Sequence, residues 1–167
     1  MRHPTNLRPL EPTDETTVKA WLEPYLTEHL TWWTAAYGTA PRHSLETLVG
    51  REWDDAFTNS RAAEGFVCVA ETTGPLGVVS AALREDRYMG VTVGVLSWLY
   101  VAEASRGTGV SSRLMDAAEG WMSAQGVQGR EVFVTSENVA AVRLYERFGY
   151  RVVDARMLGP VPRGRAR

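Results

Sequence analysis

One segment constrains this chain more than any other: the glycine-bearing turn at residues 106–112, which joins an apolar run to an amphipathic one. The apolar run (residues 95–101) predicts a buried strand, and residues 110–125 predict a helix because their apolar side chains recur at helical spacing. The first amides of a helix lack partners within it, and the helix dipole is positive there. Gly107 and Gly109 let a ligand approach the backbone where a Cβ would collide. The segment predicts either a phosphate or pyrophosphate site or a glycine-rich turn without a ligand.

Composition limits the classes of protein to consider. With 167 residues, 44% of them hydrophobic and 23% charged, the chain is expected to form one globular domain over residues 1–167. The net charge of −2 argues against nucleic acid or an anionic membrane as a partner. We find neither a signal peptide nor a run long enough to span a membrane, and we expect a cytoplasmic location.

Cysteine and histidine are sparse. The single cysteine, Cys68, excludes an intramolecular disulfide and a multi-cysteine zinc site. His3, His29 and His43 are too scattered to suggest a metal site, so we predict none and interpret all three as surface or packing residues.

The N-terminal third has helical character. Asp14 is expected to cap a helix that runs to about Leu30, with a kink at Pro24, and Ser44 to cap a second helix. Three strand-type runs follow at residues 65–72, 76–83 and 92–101, the first two joined by a hairpin signal.

The C-terminal part alternates between the two periods. After the helix at residues 110–125 we predict a strand at 131–135, a helix capped by Asn138 and ended by Gly149, a last strand at 150–157, and a mobile tail at 159–167. Helices, an antiparallel meander and then a β-α-β unit indicate an α/β (α+β) fold with a mixed sheet.

Two nucleotide-binding motifs fit poorly. A P-loop requires a Gly-Lys pair, which the chain lacks. A dinucleotide fingerprint at Gly107-x-Gly109-x-x-Ser112 lacks its third glycine, and the chain has one βαβ unit where that fold repeats it.

A third pattern fits better. Arg106-x-x-Gly109-x-Ser111, preceded by the strand residues Leu99, Tyr100 and Val101, resembles the pyrophosphate-binding motif of the GNAT superfamily of N-acetyltransferases. A second block also resembles that family: Asn138-x-x-Ala141-x-x-Leu144-Tyr145-x-x-Phe148-Gly149-Tyr150. The resemblance is firm over residues 65–155 and holds in outline over 1–60. Ser111 departs from the usual glycine or alanine.

The resemblance implies a mostly antiparallel sheet with helices on both faces, and acetyl transfer from acetyl-CoA to a primary amine in a ternary complex without a metal. It implies cofactor contacts from one set of residues: Leu99, Tyr100, Val101, Arg106, Gly107, Thr108, Gly109, Val110, Ser111, Ser112, Asn138 and Tyr145. Tyr145 would protonate the departing thiolate, or else it is a packing residue beside Phe148. Asn138 would bind the cofactor arm, act as a plain N-cap, or do both.

The acceptor side is less defined. The resemblance places acceptor-side helices in residues 1–60 and a cofactor-binding core in 65–157. Trp32, Trp33 and Tyr37 would then contact the amine acceptor, a small molecule or a peptide, although core packing explains them almost as well. No general base is identifiable, since Ser97 and Thr135 are the polar exceptions on the inner strands. A non-catalytic acyl-CoA sensor remains an alternative, and the protein could be a monomer or a homodimer.

Overall fold

The computed structural model describes residues 4–160. In chain order the elements are β1 (Asn6–Pro9), α1 (Glu15–Tyr37), α2 (Leu45–Asn59), β2 (Gly65–Glu71), β3 (Pro75–Asp86), β4 (Val91–Val101), α3 (Val110–Ala124), β5 (Gly129–Val132) and α4 (Val139–Arg147). Short 3-10 turns at Pro12–Asp14 and Glu103–Ser105 precede α1 and follow β4. No helix in this part of the chain is long and apolar enough to cross a membrane.

The five strands form one sheet in the order β1-β2-β3-β4-β5, antiparallel throughout except for the parallel pair β4–β5. Each face carries a separate apolar core. Helices α1 and α2 cover one face with Val18, Leu22 and Trp53 against Val69, Val78 and Trp98. Helices α3 and α4 cover the other with Leu114, Met115, Met122 and Tyr145 against Val79 and Leu96. The expected mixed sheet with helices on both faces is confirmed.

Strand β4 has two irregular features. Ser80 of β3 pairs with Trp98 and Ala81 with Leu96, so Ser97 is an extra residue that forms a β-bulge. Pairing with β5 ends at Leu96 and Val132, so the rest of β4 has no partner on that side. The two parallel strands therefore separate at their carboxyl ends, where open sheets place ligands.

Helix α1 is longer than predicted. It continues through Pro24 to Tyr37 and ends where Gly38 takes a left-handed φ of +68°. Burial of Leu22 and Leu26 on either side of the proline compensates for the backbone hydrogen bond that proline removes. The Asp14 carboxylate does not cap α1; it accepts hydrogen bonds from the Arg8 guanidinium and the Glu11 amide.

One strand prediction was misplaced and another was wrong. The strand expected at 131–135 lies at Gly129–Val132, and residues 150–157 form no strand. Val152, Val153 and Met157 are mostly exposed, so the apolar residues that suggested a strand find no neighbour to bury them. Ser44 does cap α2, because its Oγ accepts from the Thr47 amide at 3.2 Å. Most of the predicted mobile tail, residues 161–167, lies outside the described residues.

Candidate active site

The turn between β4 and α3 exposes backbone donors. Gly107 and Gly109 have φ of +74° and +90°, a region that disfavours any other residue. A Cβ built on either glycine would meet no protein atom within 4 Å, so the space beside both is open. The amides of residues 107–112 form no hydrogen bond within the described chain. Six consecutive donors at a helix N-terminus make a site suited to an anion.

Side chains brace this turn from behind. Thr108 Oγ1 donates to the Ser105 carbonyl at 2.6 Å, and Arg106 Nε donates to the Val101 carbonyl at 3.2 Å. The Arg106 guanidinium lies 5.9 Å from the centre of the Tyr100 ring. Since Nε anchors the side chain to β4, the two terminal nitrogens of Arg106 stay available for a phosphate at the turn. The residues present therefore fit a pyrophosphate group.

A cleft opens where β4 and β5 separate. Strand β4 contributes residues 96–99, the end of β5 and the chain after it contribute residues 132–135, α4 contributes Ala141 and Tyr145 with the preceding Asn138, and α1 contributes Tyr25 and His29. Because the two helices belong to opposite faces of the sheet, the cleft is reached by side chains from both. Leu99 lies in it, whereas Tyr100 packs with the α1–α2 core.

Tyr145 is 8% exposed. Burial, together with the nearby Tyr25, raises the pKa of Tyr145 to about 12. Its hydroxyl makes no hydrogen bond within residues 4–160, so it is a protonated donor without a protein partner. Such a group is suited to give a proton to, or hydrogen-bond, a ligand in the cleft.

Asn138 has a demonstrated structural role. Its Oδ1 accepts from the Ala141 amide at 3.2 Å and caps α4. The side chain also lines the cleft, and its amide nitrogen has no partner within the described residues. The N-cap interpretation is therefore confirmed, and the cofactor contact stays a prediction.

His29, which the sequence suggested to be a surface or packing residue, is buried in the cleft wall. Its Nδ1 lies 2.8 Å from the Tyr25 carbonyl oxygen, and its ring packs 4.2 Å from the Tyr25 ring. The spacing of histidines along the sequence can suggest a metal site or local packing, and nothing more. The sequence does not show that His29, on a helix near the N-terminus, lies beside residues more than a hundred positions later.

A second cavity adjoins the cleft on the α1–α2 face. It is lined by Glu52, Asp55, Ala56 and Asn59 of α2 and by Ser80, Ala82, Ser97 and Trp98 of the sheet. Desolvation by the surrounding protein, together with the nearby charge of Asp55, raises the pKa of the Glu52 carboxyl. Ser97 and Trp98 line both spaces, so the bulge in β4 is where they meet.

The wall between the two spaces contains an unsatisfied donor. Trp98 Nε1 is buried and has no hydrogen-bond partner among the described residues. By contrast, Asn59 donates to Ser80 Oγ and to the Ala81 carbonyl, which ties α2 to β3. An orphaned buried donor is uncommon in folded proteins and marks a position where a ligand or water completes the structure.

The predicted acceptor-side aromatics lie on the last turns of α1. Trp32 and Trp33 pack edge-on against His29 at 5.0 and 5.8 Å between ring centres. The Tyr37 hydroxyl accepts a hydrogen bond from Arg156 at 3.0 Å. None of the three is among the residues that line the cleft, so they stand behind His29 or farther away. No group of metal-ligating side chains occurs in residues 4–160.

Comparison with known proteins agrees with this geometry. The model of the acetyltransferase (GNAT) family matches residues 16–150. The chain belongs to the GNAT acetyltransferase family. The match includes α1 and α2, which the sequence motifs had assigned only in outline, and it replaces the dinucleotide-binding alternative.

Solved structures show the same fold. A variant of the BH1408 protein from Bacillus halodurans is similar with a TM-score of 0.78 and 18% identity, over 94% of this chain and 99% of that one. A predicted acetyltransferase from Clostridium acetobutylicum, in complex with acetyl-CoA, has a TM-score of 0.67 and 14% identity, over 92% and 94%. The aminoglycoside N-acetyltransferase AAC(6')-Iy, in complex with CoA, has a TM-score of 0.67 and 18% identity, over 99% and 98%. No curated protein matches the sequence.

Proposed function

We propose that this protein transfers the acetyl group of acetyl-CoA to a primary amine by direct attack in a ternary complex. The observation that carries the proposal is the separation of β4 from β5, with free helix N-terminal amides beyond the end of β4 and an unpartnered tyrosine hydroxyl inside the gap. A pyrophosphate-bearing thioester needs such a combination: an anion site, an extended channel and a proton donor.

The donor side uses mostly backbone. The amides of residues 107–112 and the terminal nitrogens of Arg106 would hold the pyrophosphate. The backbone of Leu99 and the Val101 amide, on the edge of β4 that no strand pairs, would hydrogen-bond the extended arm like an additional strand, with Asn138 facing it. Acetyl-CoA supplies the activated acyl group. A backbone amide near the Ser97 bulge would polarise the acyl carbonyl.

Tyr145 would protonate the leaving sulfur. A pKa of about 12 keeps the phenol protonated throughout the neutral range, so Tyr145 always carries the proton that it would give to sulfur. The same burial that disfavours a phenolate also disfavours a thiolate in this cleft, which raises the proton affinity of the leaving group. The two shifts run in the same direction and keep transfer from oxygen to sulfur feasible.

The acceptor would enter through the second cavity. Glu52 and Asp55 at its mouth favour an amine carrying positive charge, and Ser97 lies where this cavity meets the donor cleft. One of the similar structures is AAC(6')-Iy in complex with a bisubstrate analogue, CoA-S-monomethyl-acetylneamine. We propose an acceptor of the same chemical kind, a cationic primary amine.

The test separates an enzyme from a non-catalytic acyl-CoA sensor. Acetyl-CoA at a hundredfold excess over its Kd should stabilise the protein by about 2.7 kcal/mol, with NAD and ATP as controls that do much less. Release of free CoA thiol is then followed with an aminoglycoside, spermidine, phenethylamine and a peptide with a free N-terminus. Stabilisation with amine-dependent thiol release supports the enzyme. Stabilisation without turnover supports the sensor, and absence of stabilisation contradicts both.

A further inference from the structure

The proposed reaction, on which this inference rests, leaves one proton without an acceptor. When an amine forms its bond to the acyl carbon, the nitrogen must lose a proton. Tyr145 is the donor to sulfur and cannot also be the acceptor. Ser97 and Thr135, the polar exceptions on the inner strands, are not bases at neutral pH.

We infer that His29 is the general base that takes the proton from the attacking amine. His29 is 8% exposed and lines the cleft that contains Tyr145. It projects from α1, while Tyr145 projects from α4 on the opposite face of the sheet. Base and acid therefore approach the same space from opposite walls, as attack and departure at one acyl carbon require.

The hydrogen bond to Tyr25 fixes which nitrogen acts. A backbone carbonyl only accepts, so the Nδ1 that lies 2.8 Å from the Tyr25 oxygen carries the hydrogen. In the neutral ring Nε2 then bears the lone pair. No described residue hydrogen-bonds Nε2, and this nitrogen is not fully buried. Nε2 is therefore free to accept.

Packing holds the ring in this orientation. Tyr25 lies against it, and Trp32 and Trp33 contact it edge-on. The other ionisable groups that line the cleft are Tyr25 from α1 and Tyr145 from α4, and the cleft-lining residues of β4 and β5 contribute none. Glu52 and Asp55 line the adjoining second cavity and not this cleft, so no described carboxylate shares the cleft with Tyr145.

The proton balance closes over one turnover. An acceptor that binds as the ammonium first releases one proton to solvent. The neutral amine nitrogen then forms the bond to the acyl carbon, the carbon–sulfur bond breaks, the nitrogen's remaining excess proton goes to His29 Nε2, and Tyr145 gives its proton to sulfur. The products are an amide and a thiol. The imidazolium proton then returns to the Tyr145 phenolate through solvent, which restores both groups.

Two variants and a control test this role. His29→Asn keeps a side-chain amide nitrogen that can donate to the Tyr25 carbonyl and removes the base. We expect kcat to fall about 10²- to 10³-fold and the acidic limb of the kcat/KM profile to disappear. The calorimetric affinity for acetyl-CoA should change less than about twofold, because His29 projects from α1, on the side of the cleft opposite the residues proposed to hold the cofactor. His29→Ala should regain rate with added imidazole. His43→Asn, an exposed histidine between α1 and α2, should match the wild type.

A measurement independent of turnover accompanies these rates. Nitrogen-15 NMR of the wild type should show the Nδ1–H tautomer at His29. An Nε2–H tautomer would overturn the inference, as would a His29→Asn variant that retains both the rate and the acidic limb. If His29→Asn lowers the melting temperature below the assay range, the imidazole rescue of His29→Ala decides. If the wild type acetylates no amine, both the proposed function and the role of His29 are contradicted. If the wild type acetylates an amine and the His29 variants do so at the same rate, only the role of His29 is contradicted.

Discussion

The two walls of the cleft are built from different materials. The α3–α4 wall, the proposed donor wall, presents mostly backbone: six amides of the turn, the edge of β4 and glycines in left-handed conformations, with Arg106, Asn138 and Tyr145 as its side chains. The α1–α2 wall, the proposed acceptor wall, presents side chains, with His29, Glu52 and Asp55 around spaces that meet at Ser97. A backbone wall suits a ligand that never changes, and a side-chain wall can be altered one residue at a time for a different acceptor.

The two walls should respond differently to mutation. Cofactor binding at the donor wall should be lost when a substitution changes the path of the backbone, whatever the chemistry of the new side chain. Acceptor binding or turnover at the acceptor wall should be lost when a substitution removes a charge or a proton acceptor, even if it keeps the shape of the side chain. Single substitutions with matched controls can test each wall separately.

The largest effect is expected from Gly109→Val. The branched side chain is strained at a φ of +90° and occupies the open space beside the turn. Calorimetry should detect no CoA binding. Backbone strain alone costs roughly 1 to 3 kcal/mol of unfolding free energy. Gly90→Val is the matched control, because Gly90 has a φ of +63°, equally open surroundings and a place in a distant loop. It should lose similar stability and keep CoA affinity.

An equal loss of affinity in both glycine variants would mean that strain, rather than occupation of the pyrophosphate space, governs binding. Unchanged affinity in Gly109→Val would remove the turn from the site. Either result would break the description of the donor wall as a backbone surface.

Tyr145→Phe should lower kcat by roughly 10² to 10⁴ while CoA affinity and stability change little, because the ring keeps its packing. Stopped-flow measurement of the chemical step checks this. Tyr150→Phe is the control: the Tyr150 hydroxyl donates to Glu119 at 2.7 Å, so its loss should cost roughly 1 to 3 kcal/mol of stability and leave kcat intact.

The pH dependence of Tyr145 has a definite sign. With a pKa raised to about 12, the phenol donates at every pH below that value. Any descending limb between about pH 8 and pH 10 therefore belongs to another group, and Tyr145→Phe should keep the shape of the profile. A wild-type limb in that range that vanishes in the phenylalanine variant would contradict the buried, unpartnered environment of this residue.

The difference between the walls also explains what the sequence could predict. Gly107 and Gly109 were informative because a left-handed backbone and a helix N-terminus leave a local trace in the chain. His29 was not, because the role we propose for it depends on sharing a cleft with Tyr145, which comes from the opposite face of the sheet. The strand expected at residues 150–157 failed for a related reason: local apolar content does not reveal that no neighbouring strand is present to pair with it.

Glu52→Gln tests the charge on the acceptor wall. Loss of a carboxylate at the mouth of the cavity should raise KM for a cationic acceptor by roughly three- to tenfold and leave KM for acetyl-CoA unchanged. Asp54→Asn removes a charge from the same helix outside the cavity and should do neither. The effect should weaken at high salt and be smaller for phenethylamine than for spermidine. Equal effects of the Glu52 and Asp54 variants would mean that the overall charge of α2, and not the cavity, determines the acceptor KM.

The smallest effects are expected at the aromatic side chains of α1. Trp32→Ala and Trp33→Ala should lower kcat/KM for the acceptor severalfold and leave the KM for acetyl-CoA unchanged, because both rings hold His29 in place rather than line the cleft. Tyr37→Ala should have less influence, since its hydroxyl bonds Arg156. Trp33 is 38% exposed, so its loss should cost little stability, and a fall in the melting temperature with unchanged kcat/KM would show that Trp33 is only a packing residue. If Tyr37→Ala instead exceeded both tryptophan variants, the acceptor would reach past His29 to the end of the helix, and the acceptor wall would be longer than the one described.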